Sequence, residues 1–403
     1  MGYERPLYFV TDKSQSKSQI QLDRQESLMG RPPWFSYVAK EYEACRERVG
    51  MIDMSNFSKF EIFSEDDEVV KFLQYICSAN VNQPVGSTVY TGMQNPIGGY
   101  VTDCTLSRIG HNHYFVIAPT VQQVRLKMWL ERHLPANSRV VVQDVTSMYT
   151  ALNVLGPSSR PLLQDLTEEP MGPTDFPAFS CKVVDVGYAS GIRAISVTHC
   201  GELGWVLYIP NEYAQHVHDS LVEAGREYGL QHCGYLALRH LRIEKFYVYW
   251  GMDIDATTTP MECGRIFRVD PKKEFLGKEA VLKDKTEGVR RRYVQLLVDR
   301  HNLHTDPWPQ GDEPIYRNGE CCGFTTTAGY GFTLGCQVCL GYVRNVDANG
   351  VPQVVTTDFV VGGNAAYEVE IAGVRFPVRA NLHSPILPMV SSEHPTHYRP
   401  TQS

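Results

Sequence analysis

At Arg292 the chain changes texture. Before it, stretches with apolar residues at helical spacing alternate with stretches spaced as strands; after it, only short β-prone runs joined by Gly and Asn turns occur. One hydrophobic pattern cannot serve both, so the 403 residues divide into at least two folding units of unlike architecture. The expected division is a polar lead-in over 1–33, an α+β unit over 34–290, a small all-β barrel or sandwich over 291–386, and a Pro-, Ser- and His-rich disordered tail over 387–403.

Within the α+β unit, 34–49 suits a helix that closes at Gly50. Residues 57–63 alternate, placing Phe60 and Ile62 on a buried face and Lys59 and Glu61 on the other. Ser64 caps a helix to about Cys77. Runs at 88–93, 100–108 and 114–118 then read as an antiparallel meander. Thr120 with Gln123 forms a capping box for a helix to about His133, and strands follow at 139–145 and 151–155. Gly156-Pro157-Ser158 opens a short helix. Strands at 182–186, 192–198 and 205–209 and a helix at 212–228 repeat this grammar, an approximate doubling of one α+β unit. A helix at 235–244 leads toward the all-β part, whose runs lie at 293–298, 314–316, 323–327, 338–343, 354–360, 367–371 and 374–382.

Composition removes whole classes of function. Thirty-eight Lys plus Arg against 45 Asp plus Glu leave a net charge of −7, and no Lys/Arg block offers the clustered cations that a nucleic acid requires. Arg290-Arg291-Arg292 is short and reads as the solvated beginning of a strand. No apolar run reaches the roughly 20 residues of a membrane span. Eleven scattered cysteines suit reduced thiols of an intracellular compartment, and Asn56-Phe57-Ser58 matches a glycosylation tripeptide by chance. The first residues are neither a signal nor a transit peptide.

Nucleotide-cradling glycine loops, H-E-x-x-H and G-x-S-x-G are all absent from the sequence. Cys336 and Cys339, with Cys321-Cys322 upstream, resemble a zinc pattern, yet Cys321 and Cys322 on one strand would point to opposite faces; buried thiols are the plainer reading. His111 and His113 flank a turn, and His216 and His218 stand two apart on a helix. Three places are less ordinary. Asp103 is a carboxylate inside an otherwise apolar or neutral strand, expensive to bury unpaired. Glu202 lies between Gly201 and Gly204, where backbone can approach a ligand closely. The third is the charged run 239–245 with 250–255 and 259–262. Spacing alone favours structural ion pairs for all three.

Those three places, in that order, resemble the folate-binding aminomethyltransferase family. It includes the glycine cleavage T-protein and the C-terminal halves of dimethylglycine and sarcosine dehydrogenases. The similarity runs from Trp34 to Leu382 and implies an α+β cloverleaf of three subdomains around a central folate pocket, the third a β-barrel. Gly2-Tyr3-Glu4-Arg5-Pro6 resembles the junction closing the FAD half of the dehydrogenases, so FAD would enter only through a missing N-terminal half. Residues 52–62, 241–246, 313–319 and 338–343 resemble the branch of the family that regulates the mitochondrial pyruvate dehydrogenase phosphatase.

The resemblance implies roles residue by residue. Asp103 matches the catalytic aspartate, able to stabilise developing cationic charge near the reacting folate nitrogen. Glu202 matches the acid that grips the pterin ring, and Tyr90 matches a pocket-lining tyrosine. The folate-contacting arginine falls on Leu238; Arg239, the candidate for that role, is one place late, about 100° around a helix. His199 and Cys200 replace the usual Tyr-Thr. The implied readings are three. One is a non-catalytic regulator that binds the phosphatase catalytic subunit in the mitochondrial matrix and tunes its response to Mg²⁺, with tetrahydrofolate as a possible effector. The others are a tetrahydrofolate-dependent one-carbon transfer half of a dehydrogenase, and a structural domain packed on a flavin half.

Overall fold

The computed structural model describes residues 3–10 and 30–387, so all but the first residue of the expected tail lies outside the described residues. Helix α1 (Phe35–Glu47) runs into strand β1 (Val49–Asp53). Gly50 is therefore not a helix stop. It lies in β1, where an added Cβ would come within 2.3 Å of Cys45 Sγ; glycine permits this close approach of strand to helix.

Strand β2 (Ser58–Phe63) and helix α2 (Glu68–Ile76) follow; the helix begins later than expected, with Asp67 and not Ser64 at its N-cap, although Ser64 Oγ still accepts from Val69 N at 3.0 Å. The meander is β3 (Thr88–Gln94), β4 (Tyr100–Gly110) and β5 (His113–Ala118). Helix α3 (Gln123–His133) lacks the expected capping box: Thr120 sits in a 3₁₀ turn, and the Gln123 side chain instead donates to Asp144 Oδ2 at 2.9 Å. With β6 (Val141–Asp144) these strands form a sheet ordered β3-β4-β5-β2-β6, packed on α2 and α3 through Phe60, Ile62, Leu73, Val116 and Leu126.

The second sheet takes β1 together with β7 (Tyr149–Leu155), then, after helix α4 (Ser159–Leu166), β8 (Cys181–Val186), β9 (Ala189–Ile195) and β10 (Gly204–Pro210). Helix α5 (Ala214–Gly225), strand β11 (Leu230–His232) and helix α6 (Tyr235–Glu244) complete it, in the order β11-β1-β7-β10-β9-β8. One face packs on α4 and α5 around Trp205. The other meets Phe115 and Ile117 of β5 and Leu238 and Leu241 of α6.

That packing overturns the expected exposure of Lys59. The face opposite Phe60 is covered by the second sheet, and Lys59 is fully buried, its Nζ donating to the carbonyls of Ser55, Phe57 and Thr146. Burial pulls its pKa down to about 8. Glu61 on the same face meets His113 at 2.8 Å and Arg193 at 2.7 Å.

After helix α7 (Lys278–Glu287), which periodicity had not singled out, come β12 (Arg291–Val298), β13 (Pro314–Arg317), β14 (Glu320–Gly331) and β15 (Cys336–Val346). Then follow β16 (Pro352–Gln353), helix α8 (Thr357–Val361), β17 (Tyr367–Ile371) and β18 (Val374–Asn381). Strand β12 pairs with both β18 and β15, which closes the order β12-β18-β17-β13-β14-β15 into a barrel, not a sandwich. The run at 354–360 is not a strand: Thr356 Oγ1 accepts from Phe359 N at 3.0 Å, and this cap outweighs the β-branched composition. The arginines before the barrel are not simply solvated. Arg291 contacts Glu262 at 2.9 and 3.1 Å, and Arg292 donates to the Met261 carbonyl at 2.8 Å. Cys321 is exposed and Cys322 packs on the barrel core, on opposite faces as alternation requires.

Residues 5–7 of the lead-in are held against the body. The carbonyls of Pro6 and Leu7 accept from Tyr235 N and Leu236 N at 3.0 Å, satisfying amides at the start of α6 that have no partner within the helix. Arg5 lies 3.5 Å from the centre of the Tyr235 ring.

Candidate functional site

Tyr90 and Asp103 meet because β3 and β4 pair with Gly92 opposite Asp103, which makes Tyr90 the diagonal neighbour on the same face. Tyr90 Oη donates to Asp103 Oδ2 at 2.8 Å, while Oδ1 is enclosed and has no partner. Burial raises the Asp103 pKa to about 6, against the lowering effect of the Tyr90 bond, and raises the Tyr90 phenol as well. Both side chains nonetheless keep part of their accessible surface. The pair is thus desolvated without being sealed off from the surface. His199, pulled down to about 4 by burial yet only half-buried, has the same character; its ring packs on Phe57 at 5.1 Å.

Glu202 sits on the bend before β10. Thr198 Oγ1 donates to the Glu202 carbonyl at 2.7 Å, and Gly201 turns the chain with φ of +74°. Its carboxylate accepts from Arg46 Nη1 at 3.0 and 3.2 Å and also from Lys245 Nζ. All three groups are buried. Burial lowers the Lys245 pKa despite Glu202, whereas for Arg46 the neighbouring acids outweigh burial and the pKa rises. Adjacent Glu244, raised by burial, accepts from Tyr42 Oη and from the backbone amides of Thr333 and Leu334 at 2.9 Å, tying the cluster to the barrel.

The segment 245–247 joins the two places. Lys245 pairs with Glu202, the Phe246 carbonyl accepts from Arg265, and a Cβ on Gly201 would lie 2.5 Å from Tyr247 Oη. The charge of Arg265 reaches Tyr90, and Arg268 lies 5.8 Å from the Tyr90 ring centre. Tyr90 and Asp103 are thus in contact, and Glu202 is linked to them through 245–247 and Arg265.

Arg239 is elsewhere. Leu238 faces the core between the sheets, and one residue further round α6 the Arg239 guanidinium turns to the barrel, its Nη2 donating to the Ala328 carbonyl at 2.9 Å. Sequence reasoning named Asp103, Tyr90 and Glu202 but missed Arg46, Arg265 and Arg268. Lys245 lay in a run read as structural ion pairs, and that pattern could have prompted a search for its acid.

Two family models divide the chain between them: the GCVT N-terminal domain matches residues 1–273, and the glycine cleavage T-protein C-terminal barrel domain matches residues 291–386. The chain belongs to the glycine cleavage T-protein family. Among curated T-protein-like relatives, the mitochondrial pyruvate dehydrogenase phosphatase regulatory subunit of Mus musculus is 46% identical over 385 residues, 95% of this chain and 43% of that protein. Mitochondrial sarcosine dehydrogenase of Mus musculus is 33% identical over 376 residues, 89% of this chain and 39% of that one. The aminomethyltransferase of Bacillus subtilis (strain 168) is 30% identical over 317 residues, 77% of this chain and 84% of that protein. The chain therefore spans less than half the length of the first two. The glycine cleavage aminomethyltransferase T from Bartonella henselae shares the fold with a TM-score of 0.72 at 20% identity, over 86% of this chain and 88% of that one. The cloverleaf of two sheets and a barrel is the T-protein fold.

Proposed function

We propose that this T-protein-family chain is the C-terminal part of a regulatory subunit that binds the catalytic subunit of pyruvate dehydrogenase phosphatase in the mitochondrial matrix and adjusts its response to Mg²⁺. The observation that carries this reading is the 46% identity over 95% of the chain to a regulatory subunit of that phosphatase, well above the 33% to a sarcosine dehydrogenase. The boundaries 34–290 and 291–386 serve as its working domains.

The residues around Asp103 fit a folate. Asp103 Oδ1, enclosed and without a partner, suits an N–H donor from a bound ring, and Tyr90 holds the other oxygen in place. At Glu202 the fit is poorer. Glu202 already meets Arg46 and Lys245, and Arg239 has turned away, so a pterin would have to displace a buried cation. A chain whose pocket retains one acid and neutralises the other is better suited to sensing a ligand than to turning it over. Lys245 follows the end of α6, and α6 also contacts the lead-in and the barrel, so a ligand that moved Lys245 would be felt at both.

The alternative is the one-carbon transfer half of a dimethylglycine or sarcosine dehydrogenase-like flavoenzyme, with FAD on a preceding half. The desolvated Asp103 favours it, because such a carboxylate can stabilise cationic charge. Tetrahydrofolate, when bound, would supply the nitrogen that accepts the carbon unit; Asp103, Tyr90 and Glu202 would orient it.

Two measurements separate the readings. Titrating the purified chain into the phosphatase catalytic subunit at graded Mg²⁺ should shift the half-saturating metal concentration by about twofold or more, and absence of association and of any shift removes the regulatory reading. Calorimetry with tetrahydrofolate, comparing wild type and Asp103→Asn, tests the folate site. No binding to the wild type removes the enzymatic reading and the folate effector together.

A further inference from the structure

A cleft that does not include Asp103 opens between α6 and the barrel, with a volume of about 170 Å³. One wall is aromatic and stiff: Trp34 and Trp308 stand edge to face at 5.9 Å, with Pro32, Pro33 and Pro309 beside them. Beside this wall α6 places one guanidinium, that of Arg239.

Arg239 is incompletely satisfied. Its Nη2 has the Ala328 carbonyl, but Nε is enclosed and without a partner, and no carboxylate pairs with it among the described residues. Burial pulls its pKa below the ordinary arginine value. The acids whose charge reaches it are committed elsewhere. Asp253 holds Arg242 at 2.8 Å and accepts from Thr326 and Thr327, while Glu313 accepts from the amides of Gln310 and Gly311 and from Thr325. The neighbouring His240 adds no second charge. Its Nδ1 donates to the Tyr330 carbonyl at 2.8 Å, and burial lowers its pKa to about 3.

A buried cation with an orphaned N–H, beside aromatic rings, is stabilised most by one planar anion that accepts parallel N–H bonds. We propose that this cleft binds a small monocarboxylate with a flat aromatic body, the carboxylate on Arg239 and the ring packed against the Trp34–Trp308 pair. A dianion such as phosphate would bring a second charge that nothing in the cleft balances. The site does not include Asp103 and stands or falls independently of folate.

The two tryptophans make the test direct. Benzoate should quench the fluorescence of the 403-residue chain saturably, and benzyl alcohol, of the same shape without the charge, should not. Arg239→Gln should weaken benzoate at least about tenfold, the scale of one lost charge-assisted pair, and Arg239→Lys should recover part of it. Equal quenching by alcohol and acid, an acetate effect equal to that of benzoate, or no saturation with benzoate would each overturn the proposal. Should Arg239→Gln not fold, anomalous scattering from 4-bromobenzoate in crystals of the wild type decides: a bromine peak in the cleft beside the Trp34–Trp308 pair supports the site, and its absence refutes it.

Discussion

Tyr90 Oη donates to Asp103 Oδ2 at 2.8 Å while the second oxygen of that carboxylate is enclosed without a partner. An acid held by one phenol in a desolvated place has unequal affinities for a proton in the folded and unfolded states, and that inequality has consequences for stability.

Asp103 ordinarily titrates at 3.8 and is raised to about 6 here, chiefly by burial. The folded protein keeps this proton through a pH window in which the unfolded chain has lost it. Stability therefore falls as pH rises from about 4 to 6, with a ceiling of about 3 kcal/mol. Asp103→Asn should remove that slope and be the more stable protein at pH 7. Tyr90→Phe, which removes the larger of the two hydrogen bonds favouring the carboxylate, should move the midpoint above 6. Urea unfolding at several pH values checks both, and a slope unchanged in Asp103→Asn contradicts the assignment.

His199 acts in the opposite direction. Burial lowers its pKa from 6.5 to about 4. Between those values the unfolded chain takes up a proton that the folded protein refuses, so stability declines as pH falls from about 6.5. His240, lowered to about 3, contributes with the same sign. His199→Gln should flatten the acid limb of the stability curve without changing stability at pH 8 by more than about 1 kcal/mol. The two histidines are separable by making each substitution alone.

The Glu202 cluster predicts an asymmetry between its members. Glu202→Gln leaves Arg46 and Lys245 buried near each other without their shared acid, at a cost of about 3–5 kcal/mol. Lys245→Met keeps the two-contact Arg46–Glu202 pair and removes an ammonium whose pKa is already lowered by burial, so it should cost distinctly less. Denaturant midpoints at constant m-value provide the comparison. A Glu202→Gln protein as stable as wild type would mean that water or another acid compensates the cations.

Much of this was legible in the sequence, and the exceptions have a common cause. The meander around Asp103 and the helix at 235–244 are local: turn residues and apolar spacing fix them, and Tyr90 lies 13 positions from Asp103 across one hairpin. Lys59 misled because strand alternation identifies two faces but not what covers the second one; the second sheet, folded from residues far along the chain, does. Arg46 and Glu202 are 156 positions apart, and nothing in the neighbourhood of either announces the other. Helix α8 turned on one hydroxyl, Thr356, against a run of valines. Arg239 was placed by resemblance, and its departure by one helical position, visible in the sequence, is what turns it to the barrel.

Gly201 is where backbone conformation and site geometry can be tested together. Its φ of +74° is the left-handed region, and an added Cβ would stand 2.5 Å from Tyr247 Oη and 3.2 Å from the Lys245 side chain. Gly201→Ala thus carries two costs: about 1–2 kcal/mol for the conformation, and the displacement of Tyr247 and Lys245 that the new methyl requires. Tyr247→Phe removes the obstructing oxygen and relieves the second cost only. In a double-mutant cycle the pair should therefore be less destabilised than the sum of the single changes, by about 0.5 kcal/mol or more. The displaced Lys245 also loosens Glu202, so Gly201→Ala should make Glu202→Gln less damaging than it is in the wild type. Additive behaviour in both cycles would show that the bend and segment 245–247 do not compete for the same space.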